Sequence, residues 1–304
     1  MIVDPGRCAS KIVDIHGETG KQWLERLPTT MAMCAEKWSL GILPPFRELS
    51  YNYVTPAITA DGRQVVIKAG VPSRELAREI EALRAFDGNG IAQLVNADTD
   101  LGVMLLERLQ PGESLADIDD DERLTHAAIS VMRQLWTPAP TDHDFASVRG
   151  WAGDLDDLRA HFEGGCGPFP RDLVETAQGL FAELLDPARE GTLIHGDPHP
   201  QNILSAQRLP WLAIDPKGVV GDPLYDVATF ACSLPWLSTE SDQRRSLARR
   251  VDQLAEELGL DRQIIARWGL AQSVLSGWWS YEDHGGGWEE AFARARLFDS
   301  LQKG

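Results

Sequence analysis

The stretch from Thr192 to Lys217, TLIHGDPHPQNILSAQRLPWLAIDPK, constrains this chain more than any other. Two short apolar runs, Thr192–Ile194 and Trp211–Ile214, have the length and composition of buried strands. They bracket His195-Gly196-Asp197-Pro198-His199-Pro200-Gln201-Asn202, and Asp215 stands at the end of the second run. Asp197 precedes Asn202 by five residues. Phosphoryl transfer uses this order of catalytic loop and metal-binding segment. In that chemistry a carboxylate, here Asp197, orients and deprotonates the attacking hydroxyl. Hard oxygen ligands for Mg2+ come from the Asn202 amide and the Asp215 carboxylate. A plain polar turn would need none of these groups at fixed spacing, so the catalytic reading is the stronger one.

The octapeptide HGDPHPQN, followed by AIDPKGVVGDPLYDVA, resembles the aminoglycoside phosphotransferase-like kinases, and among them the streptomycin and hydroxyurea phosphotransferase branch. In that branch Pro follows the metal aspartate, as in Asp215-Pro216, and the block Gly221-Asp222-Pro223-Leu224-Tyr225-Asp226 also matches. The resemblance implies a two-lobed, protein-kinase-like α+β fold, with a small antiparallel-sheet N-lobe and a large, mostly helical C-lobe. It further implies MgATP as phosphate donor and a small-molecule acceptor, an aminoglycoside of the streptomycin type or hydroxyurea. The runner-up is a metabolic kinase for an amino sugar, sugar or choline-like alcohol. A regulatory pseudokinase is disfavoured by the joint presence of Asp197, Asn202, Asp215 and Lys68.

The 304 residues, 43% of them hydrophobic, suffice for a sizeable core. The N-terminus has no apolar signal segment and no 18-residue apolar run occurs, so a cytoplasmic protein without membrane spans is expected. Cys8, Cys34, Cys166 and Cys232 are scattered and read as free thiols. A net charge of −17 argues against nucleic-acid binding and is compatible with a cationic acceptor, although solubility alone explains most of it.

Along the chain, Gly17–Trp38 has helical periodicity, and the resemblance identifies it with an N-terminal helical extension. Its Gly17-Glu18-Thr19-Gly20-Lys21 is no P-loop, because the loop is too short and Gln22 follows the lysine. Phe46–Leu49, Val54–Thr59 and Gln64–Ala69 read as strands, the last two joined by the turn Ala60-Asp61-Gly62-Arg63. The turn Ser50-Tyr51-Asn52-Tyr53 occupies the place of a phosphate-covering loop but lacks glycine; Ser50 and Asn52 are its candidate donors. Lys68 ends an apolar strand. Ser73 caps a helix to Phe86, on which Glu79 lies at the edge of the Leu76/Ile80/Leu83/Phe86 stripe and so can reach Lys68. Glu75 is the fallback partner.

Gly102–Leu106 reads as a strand, and Pro111-Gly112 marks a break that divides a domain over residues 1–109 from one over 110–304. By resemblance this is the hinge, where the backbone of Glu107 and Leu109 meets the adenine. Helical patterns follow around Leu124–Leu135, within residues 150–168, and over Leu173–Leu184. About ten residues separate Asp215 from Asp226 and no Ala-Pro-Glu follows, so a protein substrate is not expected. Asp222 reads as a helix cap, Asp226 as a buried acceptor for the loop backbone, and His195 as an orienting group; no role attaches to His199. Two helices close the chain. The second carries Trp278 and Trp279 and ends in Tyr281-Glu282-Asp283-His284. Glu282 and Asp283, with a tryptophan wall, are candidate binders of a cationic acceptor, a role the resemblance supports because that family holds its substrates with acidic C-terminal residues.

Overall fold

The computed structural model describes residues 8–46, 49, 51–234 and 239–302. Helix α1 (Cys8–Lys37) begins nine residues before the expected Gly17 and breaks at that glycine, whose φ of 55° and ψ of −128° leave the helical region. The break folds the first piece back on the second. There Gly20 lets the chains meet: a Cβ on it would lie 2.6 Å from the Ile12 carbonyl oxygen.

Strands β1 (Leu40–Ile42), β2 (Tyr53–Thr59), β3 (Gln64–Ala69), β4 (Leu94–Asp98) and β5 (Val103–Glu107) form an antiparallel sheet in the order β1-β2-β3-β5-β4. The edge strand is Leu40–Ile42, whereas the sequence pattern predicts a strand over Phe46–Leu49. Phe46 and Leu49 lie outside any strand, while residues 47 and 48 are outside the described set. Pro44 and Pro45 interrupt the ladder there, since proline has no N–H to donate.

Period-two alternation places the two faces of the sheet on different neighbours. Ile67, Val103 and Leu105 pack with Ile12, Trp23, Leu27 and Met31 of α1. Met104 and Leu106 join Leu76, Ile80, Leu83 and Phe86 of helix α2 (Arg74–Phe86). Ser73 caps α2 by accepting the Leu76 N–H at 3.1 Å. Lys68 pairs with Met104 across the ladder and so projects from the α2 face.

The rest of the chain is mostly helical: α3 (Asp121–Leu135), α4 (Val148–His161), α5 (Arg171–Leu184), α6 (Leu224–Cys232), α7 (Glu240–Leu258), α8 (Arg262–His284) and α9 (Glu289–Gln302). α8 runs through the centre against α4, α5, α6, α7 and α9, with Trp268, Leu275 and Trp278 almost wholly buried. Short strands β6 (Thr137–Pro138), β7 (Ala146–Ser147), β8 (Thr192–Ile194) and β11 (Val219–Val220) form one small sheet, and β9 (Ile203–Ser205) pairs with β10 (Trp211–Ala213). These two small sheets carry the loop that follows Ile194. The architecture is the two-lobed, kinase-like α+β fold. No described helix is long and apolar enough to cross a membrane.

Close approach at Gly20 makes a stability prediction. Gly20→Ala should lower unfolding free energy by about 1–3 kcal/mol, the usual range for overpacking, despite alanine's better helix propensity. Chemical denaturation of the variant checks it; an unchanged midpoint would show that the two pieces of α1 do not touch.

Candidate active site

Strand β8 delivers the chain into the loop 195–202, and a buried carboxylate holds the loop's start. Asp226, on the first turn of α6, accepts the His195 N–H at 2.9 Å and the Gly196 N–H at 2.8 Å. Trp136, at the end of α3, donates its Nε1–H to the same carboxylate at 3.2 Å. Burial raises the Asp226 carboxyl to about 6 against these donors. Gly196 has a φ of 85°, and a Cβ there would lie 2.7 Å from Val219 and 3.0 Å from Trp151, so only glycine fits. His195 is fully buried. Its Nε2–H donates to the Ile214 carbonyl at 2.8 Å, and its Nδ1 accepts the Asp197 N–H at 3.2 Å. Those partners fix the neutral tautomer, and burial pushes the imidazole down to about 4.

Asp197 has its carboxylate one-third exposed, with His199 Nε2 3.6 Å from Oδ2. The Asn202 side chain donates from Nδ2 to the Asp197 carbonyl at 3.1 Å, and the Asn202 carbonyl accepts the Ile214 N–H at 2.9 Å. Asn202 is thereby tied both to Asp197 and to the strand that presents Asp215. Asp215 has a φ of 60°, a left-handed conformation that aspartate tolerates better than most residues.

Lys68 joins the two lobes. Its Nζ lies 2.7 Å from Glu79 Oε1 and 3.0 Å from Asp215 Oδ1. Burial works against its charge, but Asp215 and Glu79 outweigh that and raise its pKa. The two carboxylates differ. Burial, joined by Asp215, pushes Glu79 up against the pull of Lys68, whereas for Asp215 the attraction of Lys68 overcomes burial and holds the carboxyl below its ordinary value. Asp215 therefore stays anionic. Glu75, the fallback, pairs instead with Lys217 at 3.2 Å. Lys217 was not singled out by spacing, yet its N–H donates to the His195 carbonyl at 2.8 Å and its charge acts on Asp197. No cluster of three or more His, Cys, Asp or Glu suited to a metal occurs among the described residues. One carboxylate and one amide, as Asp215 and Asn202 offer, fit a magnesium ion that takes its other ligands from phosphate and water.

Around this centre, the Asn52 amide oxygen lies against Gly70, at the end of β3, while Ser50 is outside the described residues. Glu107 closes β5; its N–H donates to the Gln93 carbonyl at 2.8 Å and its carboxylate pairs with Arg208 at 3.0 Å. Leu109 is half-buried two residues on. Asp222 accepts the Leu224 N–H at 3.0 Å and pairs with Arg189 at 2.9 Å.

At the end of α8 the tryptophans separate. Trp278 is 1% exposed and packs among His161, Phe162, Phe169 and Tyr281. It belongs to the core and cannot wall an open pocket, which corrects the expectation for that residue. Trp279 is half-buried, donates to Asp154 Oδ2 at 2.8 Å, and meets Trp151 edge-on. Glu282 and Asp283 are exposed, and burial together with Asp154 and Asp283 raises the Glu282 carboxyl.

Residues 46–285 match the family of aminoglycoside/hydroxyurea antibiotic resistance kinases. The chain belongs to this family. It is similar to the streptomycin 6-kinase of Streptomyces griseus, 32% identical over 88% of this chain and 87% of that protein. It is similar also to the hydroxyurea phosphotransferase of Kitasatospora aureofaciens, 33% identical over 88% of this chain and 77% of that one. In fold it matches the choline kinase LicA of Streptococcus pneumoniae with a TM-score of 0.61 at 14% identity, over 90% of this chain and 99% of that one. The family member described here is thus an enzyme, a small-molecule kinase.

His195 gives a pH prediction. Its folded pKa lies below the ordinary 6.5, so between about 4 and 6.5 the unfolded chain binds the extra proton and stability rises with pH. Acidifying from pH 7 through this window should cost the wild type on the order of 3 kcal/mol more than a folded His195→Asn variant loses. Thermal unfolding of both from pH 7 to 4.5 tests this; parallel curves would mean that His195 is not buried neutral.

Proposed function

We propose that this kinase transfers the γ-phosphate of ATP to a hydroxyl of a small molecule, with the nucleotide in the cleft between a lobe over residues 1–109 and one over residues 110–304. The observation that carries this reading is Lys68, which bridges Glu79 of the small lobe and Asp215 of the large one. Lys68, steadied by Glu79, would sit on the α- and β-phosphates, and the backbones of Glu107 and Leu109 on the adenine. Asn52, and Ser50 beside it, would offer donors to the phosphates. Asn202 and Asp215 would hold Mg2+, which neutralises charge on the phosphates when bound. Asp197 takes the proton of the acceptor hydroxyl. Lys217 lies close enough to act on Asp197's charge, so it would steady the phosphate in transit. His195, Asp222 and Asp226 hold the loop and the start of α6. Acceptors of the streptomycin or hydroxyurea kind are the first to try, given the relatives' names. A positively charged tail on the acceptor has a place at the exposed acids Glu282 and Asp283, with Asp154 and the half-buried Trp279 beside them. Buried thiols at Cys34, Cys166 and Cys232 suit the cytoplasm.

Two experiments bear on these roles. Asp197→Asn should lower kcat by roughly 10²–10⁴ while the affinity for MgATP, read by calorimetry, stays near wild type. Asp215→Ala should instead abolish the magnesium dependence of nucleotide binding. Near-normal turnover in Asp197→Asn removes that residue from the chemistry. In a cycle of Lys68→Met and Glu79→Gln, each single change should lose most of what the double change loses, because either loss releases the other partner. Additive losses in kcat/KM would show that the pair does not act as a unit.

A further inference from the structure

Beside Asp197 lies a cavity of about 160 Å³ whose wall includes His199, Thr229, Gln272, Ser273 and Arg294, completed by serine, cysteine and alanine. Its charge is unlike that of the protein as a whole. Among the described residues, Asp197 is the only carboxylate in the wall, and Arg294, half-buried on α9, has no carboxylate within 4 Å. Among the described residues the guanidinium makes one long hydrogen bond, from Nη2 to the Leu234 carbonyl at 3.4 Å.

Buried polar atoms also lack partners here. Gln272 is 7% exposed, yet its Oε1 has no hydrogen bond; nor has His199 Nδ1. The Thr229 hydroxyl, also 7% exposed, stands near the Tyr225 phenol without a well-formed bond. Of nine such orphaned atoms among the described residues, three belong to residues that line this one cavity. Buried polar groups are nearly always paired, and leaving one unpaired is unfavourable, so the cluster points to a ligand that supplies the partners.

We infer that this cavity is the acceptor subsite and that Arg294, with Gln272, selects an acceptor whose reacting hydroxyl sits next to a carbonyl or carboxylate. The inference rests on Asp197 as the base, and it specifies what surrounds the hydroxyl that Asp197 receives. Arg294 donates to the carbonyl or carboxylate oxygen. The Gln272 amide, once turned towards the cavity, gives its unpaired Oε1 an N–H or O–H of the same molecule to accept. A hydroxylated amide, a hydroxamate or a small hydroxy acid has this pattern. A guanidinium or ammonium group beside the hydroxyl would instead meet the Arg294 charge with no carboxylate to offset it. Charge at the far tail of a longer acceptor is unaffected.

The test uses the full chain with MgATP and four probes: hydroxyurea, acetohydroxamic acid, choline and streptomycin. Turnover is read as ADP release and binding by calorimetry, on the wild type, Arg294→Gln, Arg294→Lys, Gln272→Leu and Asp197→Asn, each checked for an unchanged melting temperature. The carbonyl-bearing probes should be preferred by the wild type. Arg294→Gln should raise their KM about tenfold or more, with kcat within a few-fold and the ATP KM unchanged. Arg294→Lys should recover most of that loss, Gln272→Leu should show a smaller one, and the relative preference for choline should rise in Arg294→Gln. An Arg294→Gln variant with unchanged acceptor KM overturns the inference. So does an equal fall in kcat for every acceptor, which would put Arg294 on the transferring phosphate, or failure of both carbonyl-bearing probes to bind at millimolar concentration. Turnover that needs Asp197 but ignores Arg294 sinks the subsite and keeps the kinase reading. Hydroxyurea binding that needs Arg294, without Asp197-dependent turnover of any probe, keeps the subsite and sinks the assignment of the base.

Discussion

A single buried carboxylate, Asp226, decides where the loop 195–202 lies. Burying a charge is unfavourable unless hydrogen bonds replace its water, and here three N–H donors do so, two of them from the loop backbone at His195 and Gly196. The replacement is partial, as the carboxyl raised to about 6 shows. Partial compensation is informative: rotating the loop would strip donors from a carboxylate that has no access to solvent, so the loop has one favourable position. Asp197 inherits that position two residues later through its N–H on His195 Nδ1, and Asn202 inherits it through the Asp197 carbonyl. The third donor, Trp136, extends the same constraint to the end of α3.

The lysine bridge then divides two carboxylates by environment. Glu79 projects from α2 into the packed space between helix and sheet, where burial lifts its pKa, and it serves to hold Lys68. Asp215 keeps its side chain 43% exposed, on the cleft side of the same lysine. One lysine can therefore be anchored by the first carboxylate while the second remains anionic and accessible. The alternation of β3 and β5 produces this arrangement, since it puts Lys68 on the face that α2 covers. A register shift of one residue would turn Lys68 towards α1 and dismantle the site.

How much of this the sequence discloses depends on whether a residue acts through local spacing or through a tertiary neighbour. Asp197, Asn202 and Asp215 sit within one loop-and-hairpin unit, so their separation along the chain is already their geometry. The reach of Glu79 to Lys68 follows from helical phase alone. Lys217 and His199 are equally local, but nothing in their spacing distinguishes a lysine that acts on Asp197 from a solvated one. The fold-back at Gly17 is hidden because helical periodicity continues on both sides of the glycine, and the Pro44-Pro45 pair that displaces the edge strand was legible in principle as a ladder breaker. Trp278 and Trp279 show the limit most plainly. Adjacent residues on one helix point about 100° apart, so one enters the aromatic core and the other reaches Asp154. Only the surrounding helices settle which is which.

Charge offers the last distinction between chain and site. A net charge of −17 suggests affinity for cations, yet the cleft carries Lys68 and Lys217, and the cavity beside Asp197 carries Arg294. An acidic protein that binds a polyanionic nucleotide needs such a local reversal. The excess acids are spread over the exposed surface, where water and salt screen them within about 10 Å, whereas the cations are half or fully buried and act at short range through protein. Overall charge therefore governs solubility and long-range encounter, and the few buried cations govern what stays bound. For the acceptor this means that global acidity and the immediate surroundings of the reacting hydroxyl make opposite demands, and a molecule can satisfy both only by keeping any positive charge away from Arg294.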